Sequence, residues 1–320
     1  MLQRGSVSEP VRSAEVSRLR SWSATLWTRV RSTTMTDVTV RCGYADTDLG
    51  QLHYAEAGGG GGAPVLLLHQ TPRSWDEYRE VLPLLAANRR VIAMDMYGFG
   101  LSAKPPVGTP QTIEQYALGA ITLLDALGIE KFSIVGHHTG SFVASEVASA
   151  VPDRVAALVL SGAEYADAEF RDTVTREMHG EEVEGGTAGD VDVATVEDDG
   201  SHLQVLWSKR APVYPDHRPD ILNRYIRDAL APGVDPAEGH LACARYRMED
   251  RVDLVSAPIL ILANTGDPVS YPHRDRVLTA YPNATSVEMV EIVGGTVPVM
   301  EHKTAEVVAA LEEFFDKVGV

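Results

Sequence analysis

Phe132-Ser133-Ile134-Val135-Gly136-His137-His138-Thr139-Gly140-Ser141-Phe142-Val143-Ala144 decides how the chain is read. An apolar run stops at Gly136, and helical spacing restarts near Ser141 with Ala144, Val147 and Ala148 on one face. The pattern predicts a strand, a sharp turn and a helix. Glycines at both ends of the five-residue turn permit the tight bend and the close approach of helix to strand. Such an elbow holds one residue, here His138, at the tip of a sheet.

Outward from this stretch the pattern repeats. Ala63 to Leu68, Arg90 to Asp95, Val155 to Leu160 and Pro258 to Ala263 are short apolar runs of the kind found in central strands buried on both faces. Helical spacing is read over Ser74–Ala87, Thr112–Leu127 (with Thr112 as cap and Glu114 in the first turn), Tyr271–Tyr281 and Thr304–Val318. A further strand is expected over Thr285–Val293. Two short strands, Val38–Arg41 and Gly50–Tyr54, are expected ahead of the alternation. Strands alternating with helices of this length predict a parallel sheet covered on both faces. The alternation breaks at about Tyr165 and resumes near Arg251. Within the break, Gly180 to Gly200 holds eight acids and no Lys or Arg, and reads as a solvated loop.

Composition narrows the classes of function. The net charge of −17 has no basic stripe to offset it, which argues against a nucleic-acid surface. No apolar run approaches the roughly 18 residues of a membrane helix. Two cysteines far apart, Cys42 and Cys243, support neither a disulfide framework nor a cysteine metal site. A soluble, cytoplasmic protein is expected. Residues 1–34 carry six Arg against two Glu and lack the apolar core of a signal peptide. They read as a disordered extension upstream of Met35.

Four motifs give a resemblance. His69-Gln70-Thr71-Pro72 resembles H-G-x-P, and Asp95-Met96-Tyr97-Gly98-Phe99-Gly100-Leu101-Ser102 resembles D-x-x-G-x-G-x-S. Gly136 to Gly140 resembles the nucleophile elbow G-x-Nuc-x-G, and Gly266-Asp267-Pro268 stands where an acid follows a late strand. In this order the motifs resemble the α/β-hydrolase superfamily from Met35 to Val320. His69 to Pro105 is most similar to the epoxide-hydrolase and haloalkanoate-dehalogenase branch. Gly294 to His302 is most similar to the carbon–carbon bond hydrolases. The resemblance implies an α/β-hydrolase fold: a mostly parallel sheet of about eight strands, built from 35–165 and 251–320, with a helical cap over 166–250.

This chain departs from the family pattern at the chemistry. His138 stands where Ser, Asp or Cys is expected, Thr296 stands at the catalytic-histidine position, and Gln70 replaces a Gly. Base and hydroxyl have changed places, with a large residue for a small one at 138 and the reverse at 296. The expected site is a His138–Asp267 base with Thr296 nearby, and an oxyanion hole from the backbone of Thr139 and of Thr71, whose hydroxyl can add to it. His137, His69, Gln70 and Arg73 are expected around the pocket, with Trp75 at its edge and Glu164 as an alternative acid. His69, Asp95 and Ser102 read as loop supports, and His302 as a helix-start residue. Trp207, His240 and Tyr246 are candidate substrate contacts from the cap. The reading is a cofactor-free, metal-free hydrolase of a small carbonyl-containing molecule. Two alternatives stay open: a lyase, decarboxylase or isomerase using His138 as base, and a non-catalytic ligand-binding protein.

Overall fold

The computed structural model describes residues 38–106, 108–178, 181 and 192–320. The expectation for residues 1–34, and that for much of the acidic stretch, lie outside these residues. Eight strands form one sheet: β1 (Arg41–Thr47), β2 (Gly50–Ala57), β3 (Val65–Leu68), β4 (Val91–Met94), β5 (Phe132–His137), β6 (Val155–Ser161), β7 (Ile259–Asn264) and β8 (Val287–Ile292). Their order across the sheet is β1-β2-β4-β3-β5-β6-β7-β8. β1 and β2 join antiparallel at one edge, and every pairing from β4 to β8 is parallel.

Period-two alternation sorts the central strands onto two cores. Val65, Leu67, Val91, Ala93 and Val135 face one way; Leu66, Leu68, Ile92, Met94 and Ile134 face the other. The helices that cover these faces are α1 (Val81–Leu85), α2 (Ile113–Ala126), α3 (Thr139–Ala150) and, after β7, α8 (Arg274–Leu278), α9 (Val299–His302) and α10 (Thr304–Val318). Between β6 and β7 the described residues form only helices: α4 (Ala168–Met178), α5 (Ser201–Arg210), α6 (Pro219–Ala229) and α7 (Glu238–Arg245), with short 3-10 turns. No helix among the described residues is long and apolar enough to cross a membrane.

Several boundaries differ from the sequence reading. The first strand begins at Arg41, where the expected one ended. The helix expected over Ser74–Ala87 is a 3-10 turn, Trp75–Tyr78, followed by the short α1. Ser74 caps the turn, with its side chain accepting from the Asp76 N–H, and Pro83 lies inside α1. The helix expected over Tyr271–Tyr281 is likewise a 3-10 turn followed by α8. Asp192, read as part of a solvated acidic loop, is buried. Its carboxylate pairs with Arg210 and accepts from Tyr225 Oη at 2.5 Å, with His240 Nε2 at 2.6 Å.

Candidate active site

The site is built where three strand ends meet. Leu68 of β3 is level with Gly136 of β5, and His137 with Ser161 of β6. The loops after these strands are therefore neighbours. A Cβ on Gly136 would come within 2.0 Å of Gly140 O, and one on Gly140 within 2.2 Å of Leu68 O. Only glycines let α3 start this close to β3 and β5. The bend between them is taken up by His138, whose φ is +47°. That conformation is uncommon for any residue with a Cβ.

His138 Nε2 lies 2.8 Å from Asp267 Oδ2, as a close charge contact rather than an aligned hydrogen bond. The Asp267 carboxylate is held from the other side. Ser270 Oγ donates to Oδ2 at 2.6 Å, and the N–H groups of Val269 and Ser270 donate to Oδ1 at 3.0 and 3.3 Å. Burial works against the charged form of both partners, but each charge over-compensates for the other. The imidazole is held above its usual range and the carboxyl far below its own. The ring has room because residue 162 is Gly, with φ +58°. A Cβ there would lie 2.8 Å from His138 Cδ2 and 2.9 Å from Nε2.

His137 is a strut. Its Nε2–H donates to Val297 O at 2.7 Å, and its Nδ1 accepts from Ser161 Oγ at 3.1 Å. Burial, then the charge on His138, pushes its pKa down to about 3, so this ring is neutral. Glu77 is also buried, 3.5 Å from His137 Nε2, and burial pushes its pKa up to about 8. It accepts from Gln70 N at 2.9 Å and Gln70 Nε2 at 3.3 Å, which gives the unusual Gln70 a partner. His69 braces two loops, donating from Nδ1 to Gln70 O at 2.8 Å and accepting from Met96 N at 2.9 Å. Asp95 accepts from Trp75 N and Leu101 N, both at 2.7 Å, and Ser102 Oγ donates to Asp95 O at 2.6 Å. His53, which sequence reasoning did not single out, contacts the same carboxylate at 2.9 Å.

Other expected residues have partners of their own. The Thr296 hydroxyl is turned to His302, 3.0 Å from its Nε2, and the Thr296 N–H donates to the same nitrogen at 3.1 Å. His302 closes the short α9 instead of starting a helix. Arg73 is not at a pocket edge. It is fully buried, with a two-pronged pair to Glu301 (3.0 and 2.8 Å) and Nε 3.0 Å from Asp228 of α6. A guanidinium left in the interior needs such partners. Trp75 stacks under the Arg79 guanidinium at 5.9 Å. Tyr246 is buried and donates to Glu146 at 3.0 Å, His240 is held by Asp192, and Trp207 packs beside Tyr214 and Tyr225.

The insertion reaches the elbow through α7. Cys243 Sγ is 3.9 Å from Thr139 Oγ1, and a Cβ on Gly239 would lie 2.1 Å from Thr71 Oγ1. Glu164, two residues beyond Gly162, is buried. Burial raises its carboxyl to about 7 against the opposing pull of His138.

Residues 63–295 match the alpha/beta hydrolase fold family, and the chain belongs to it. Two curated relatives illustrate its neighbourhood. The 2-hydroxy-6-oxo-2,4-heptadienoate hydrolase of Pseudomonas putida (strain F1) is 37% identical over 107 residues, covering 32% of this chain and 38% of the relative. The soluble epoxide hydrolase of Corynebacterium sp. (strain C12) is 40% identical over 94 residues, covering 29% of this chain and 32% of the relative. The chain thus spans about a third of the length of these curated relatives. Among solved structures, the enol-lactonase from Burkholderia xenovorans LB400 superposes with a TM-score of 0.65 at 18% identity, covering 86% of this chain and all of that one. A thermophilic esterase from Thermogutta terrifontis gives 0.64 at 22% identity, covering 88% and 100%.

Proposed function

We propose that this chain is a hydrolase of a small carbonyl-containing molecule, with the His138–Asp267 pair as general base and the helical insertion as its lid. The observation that carries the reading is the 2.8 Å contact between an imidazole at the positive-φ elbow and a buried, anchored carboxylate. With Nε2 facing Asp267, Nδ1 is the nitrogen left to take a proton. Apo contacts of this kind tighten in the substrate complex. Nδ1 removes a proton from water, the oxygen attacks the carbonyl carbon, and the proton passes on to the leaving group. The first turn of α3 has backbone N–H groups without intrahelical partners, so the Thr139 N–H, with that of Thr71, can receive the oxyanion. The step as proposed assigns Thr296 no part, because its hydroxyl contacts His302.

That orientation also favours a second reading. A base and an oxyanion hole without a covalent nucleophile suit proton abstraction beside a carbonyl, with an enolate as intermediate. Turnover of a panel of nitrophenyl esters and lactones tests the first reading, and deuterium exchange from solvent into a substrate carbon tests the second. His138→Ala is expected to remain folded and to lose about 10²–10⁴-fold in either activity. A folded variant with full turnover removes the ring from the mechanism, and binding without turnover in the parent supports a ligand-binding protein instead.

A further inference from the structure

Three carboxyl groups stand close enough to His138 to favour its charged form, and two of them are held. Asp267 has the ring contact and three donors of its own. Glu77 accepts twice from Gln70. Glu164 is 8% exposed, yet it makes no hydrogen bond or ion pair with any described residue. A buried carboxyl without a donor or a counter-charge is disfavoured and calls for an explanation.

Its place in the fold shows what is missing. β6 ends beside the elbow, with Ser161 level with His137, and a Cβ on Gly162 would lie 2.8 Å from the His138 ring. The loop that carries Glu164 therefore starts against the base. The groups acting on Glu164 are His138 on the elbow, Asp267 on the loop after β7 and Glu177 on α4. Of these only His138 can be positive, and Asp267 already holds it. Cys243 of α7 feels Glu164 in turn; burial, then this carboxyl, pushes the thiol up to about 12, so it stays uncharged. The insertion's arginines face other acids: Arg210 pairs with Asp192, Arg224 with Asp76 and Glu80, and Arg245 with Glu238. The chain as a whole carries −17, and α4 leads in sequence into Gly180–Gly200, with eight acids and no Lys or Arg. A field of this sign gathers small cations.

We propose that Glu164 anchors a positively charged group, an alkylammonium, on the molecule that enters beside His138. This rests on the site proposed above and names its substrate class: a small carbonyl compound that also carries an amine. The ammonium brings the donor and the counter-charge that the carboxyl lacks, and a hydrogen bond between two charged groups is about twice as strong as a neutral one. It is a role separate from orienting the base, which belongs to Asp267.

n-Butylammonium is the probe and 1-butanol its uncharged control. An alkylammonium stays charged well above neutral pH, as a lysine does. Calorimetry at pH above neutrality should show the parent binding the ammonium at least about tenfold more tightly than the alcohol. Glu164→Gln should lose that preference, and Glu164→Met serves in its place if the glutamine variant fails to fold. Burial raises the Glu164 carboxyl to about 7, so in the parent the preference should fall as pH falls through that value and the carboxyl takes up a proton. Glu164→Gln should retain only the weaker dependence that comes from His138 gaining charge. A parent indifferent to charge, or variants as selective as the parent, would overturn the proposal; the second result would assign the attraction to the acidic surface at large. The Glu164-dependent preference should persist in His138→Ala at alkaline pH. Turnover by that variant, which removes the base reading, is thus a separate result from loss of this one.

Discussion

An imidazole at φ +47° is held in place by what surrounds it. The Gly162 slot accepts its ring edge, Asp267 holds one nitrogen, and the His137 ring packs edge-on at 4.7 Å. The pattern Gly136-His137-His138-Thr139-Gly140 made the bend readable, since glycines at that spacing have a steric reason. The slot was not readable, because nothing in the local sequence links Gly162 to residue 138. The turn of Thr296 toward His302 was also hidden, although the acceptor is only six residues away. Thr296 was assigned by register, and register does not say which way a hydroxyl points. The pair has a definite pH signature. The ring acts as a base only when neutral, and Asp267 raises its pKa above 6.5, so turnover should rise with pH through that raised value. In Asp267→Asn, burial acts on the ring without the carboxylate. The acid limb of kcat/KM should then move to lower pH, and the plateau should fall by about 10²–10⁴-fold as the ring loses its orienting partner. An unmoved limb in a pH–rate profile would mean that another group titrates.

At the level of elements, the buried strands were the legible part. β3, β4, β6 and β7 are short apolar runs with both faces covered; the ends of β4, β6 and β7 lie within one residue of the sequence reading, and β3 starts two residues later than its run at Ala63. The two-faced burial leaves a signal that does not depend on distant partners. Helix α2 was also clear, with its apolar stripe and Thr112 cap. The structure adds a reciprocal pair in which Gln115, not Glu114, completes the capping box. The failures fall where local and tertiary demands compete. Ser74 to Ala87 has helical spacing, yet Ser74 Oγ and the Trp75 N–H are claimed by other bonds. Ser74 Oγ donates to Asp228, and the Trp75 N–H donates to Asp95, twenty positions along. The chain therefore starts as a 3-10 turn. The insertion gave the least local signal; part of it packs on a small core of its own, Tyr214, Ile221, Leu222 and Tyr225, apart from the two that flank the sheet.

Across the whole molecule, ionic contacts do what apolar patterning does within the sheet. Arg73 joins the loop after β3 to Asp228 on α6 and to Glu301 on α9. Arg224 of α6 bonds Asp76 at 2.6 Å and Glu80 at 2.7 Å, and Arg227 reaches Asp76 at 2.8 Å. None of these partners could be matched from sequence, since they lie roughly 145 to 230 positions apart. Arg73→Met should leave Glu301 and Asp228 without their buried counter-charge. Such losses cost about 3–5 kcal/mol, which urea denaturation would read as a lower midpoint. A midpoint within error of the parent would mean that neighbouring arginines take over.

The buried guanidinium also bears on how a substrate could get in. Arg73 is fully buried, so α6 cannot swing away without stranding its charge in the interior. Arg224 and Arg227 grip Asp76 and Glu80 as well, so α6 is anchored by several ion pairs beside the loop that carries Thr71. A route to His138 that opened by moving α6 would have to break these pairs.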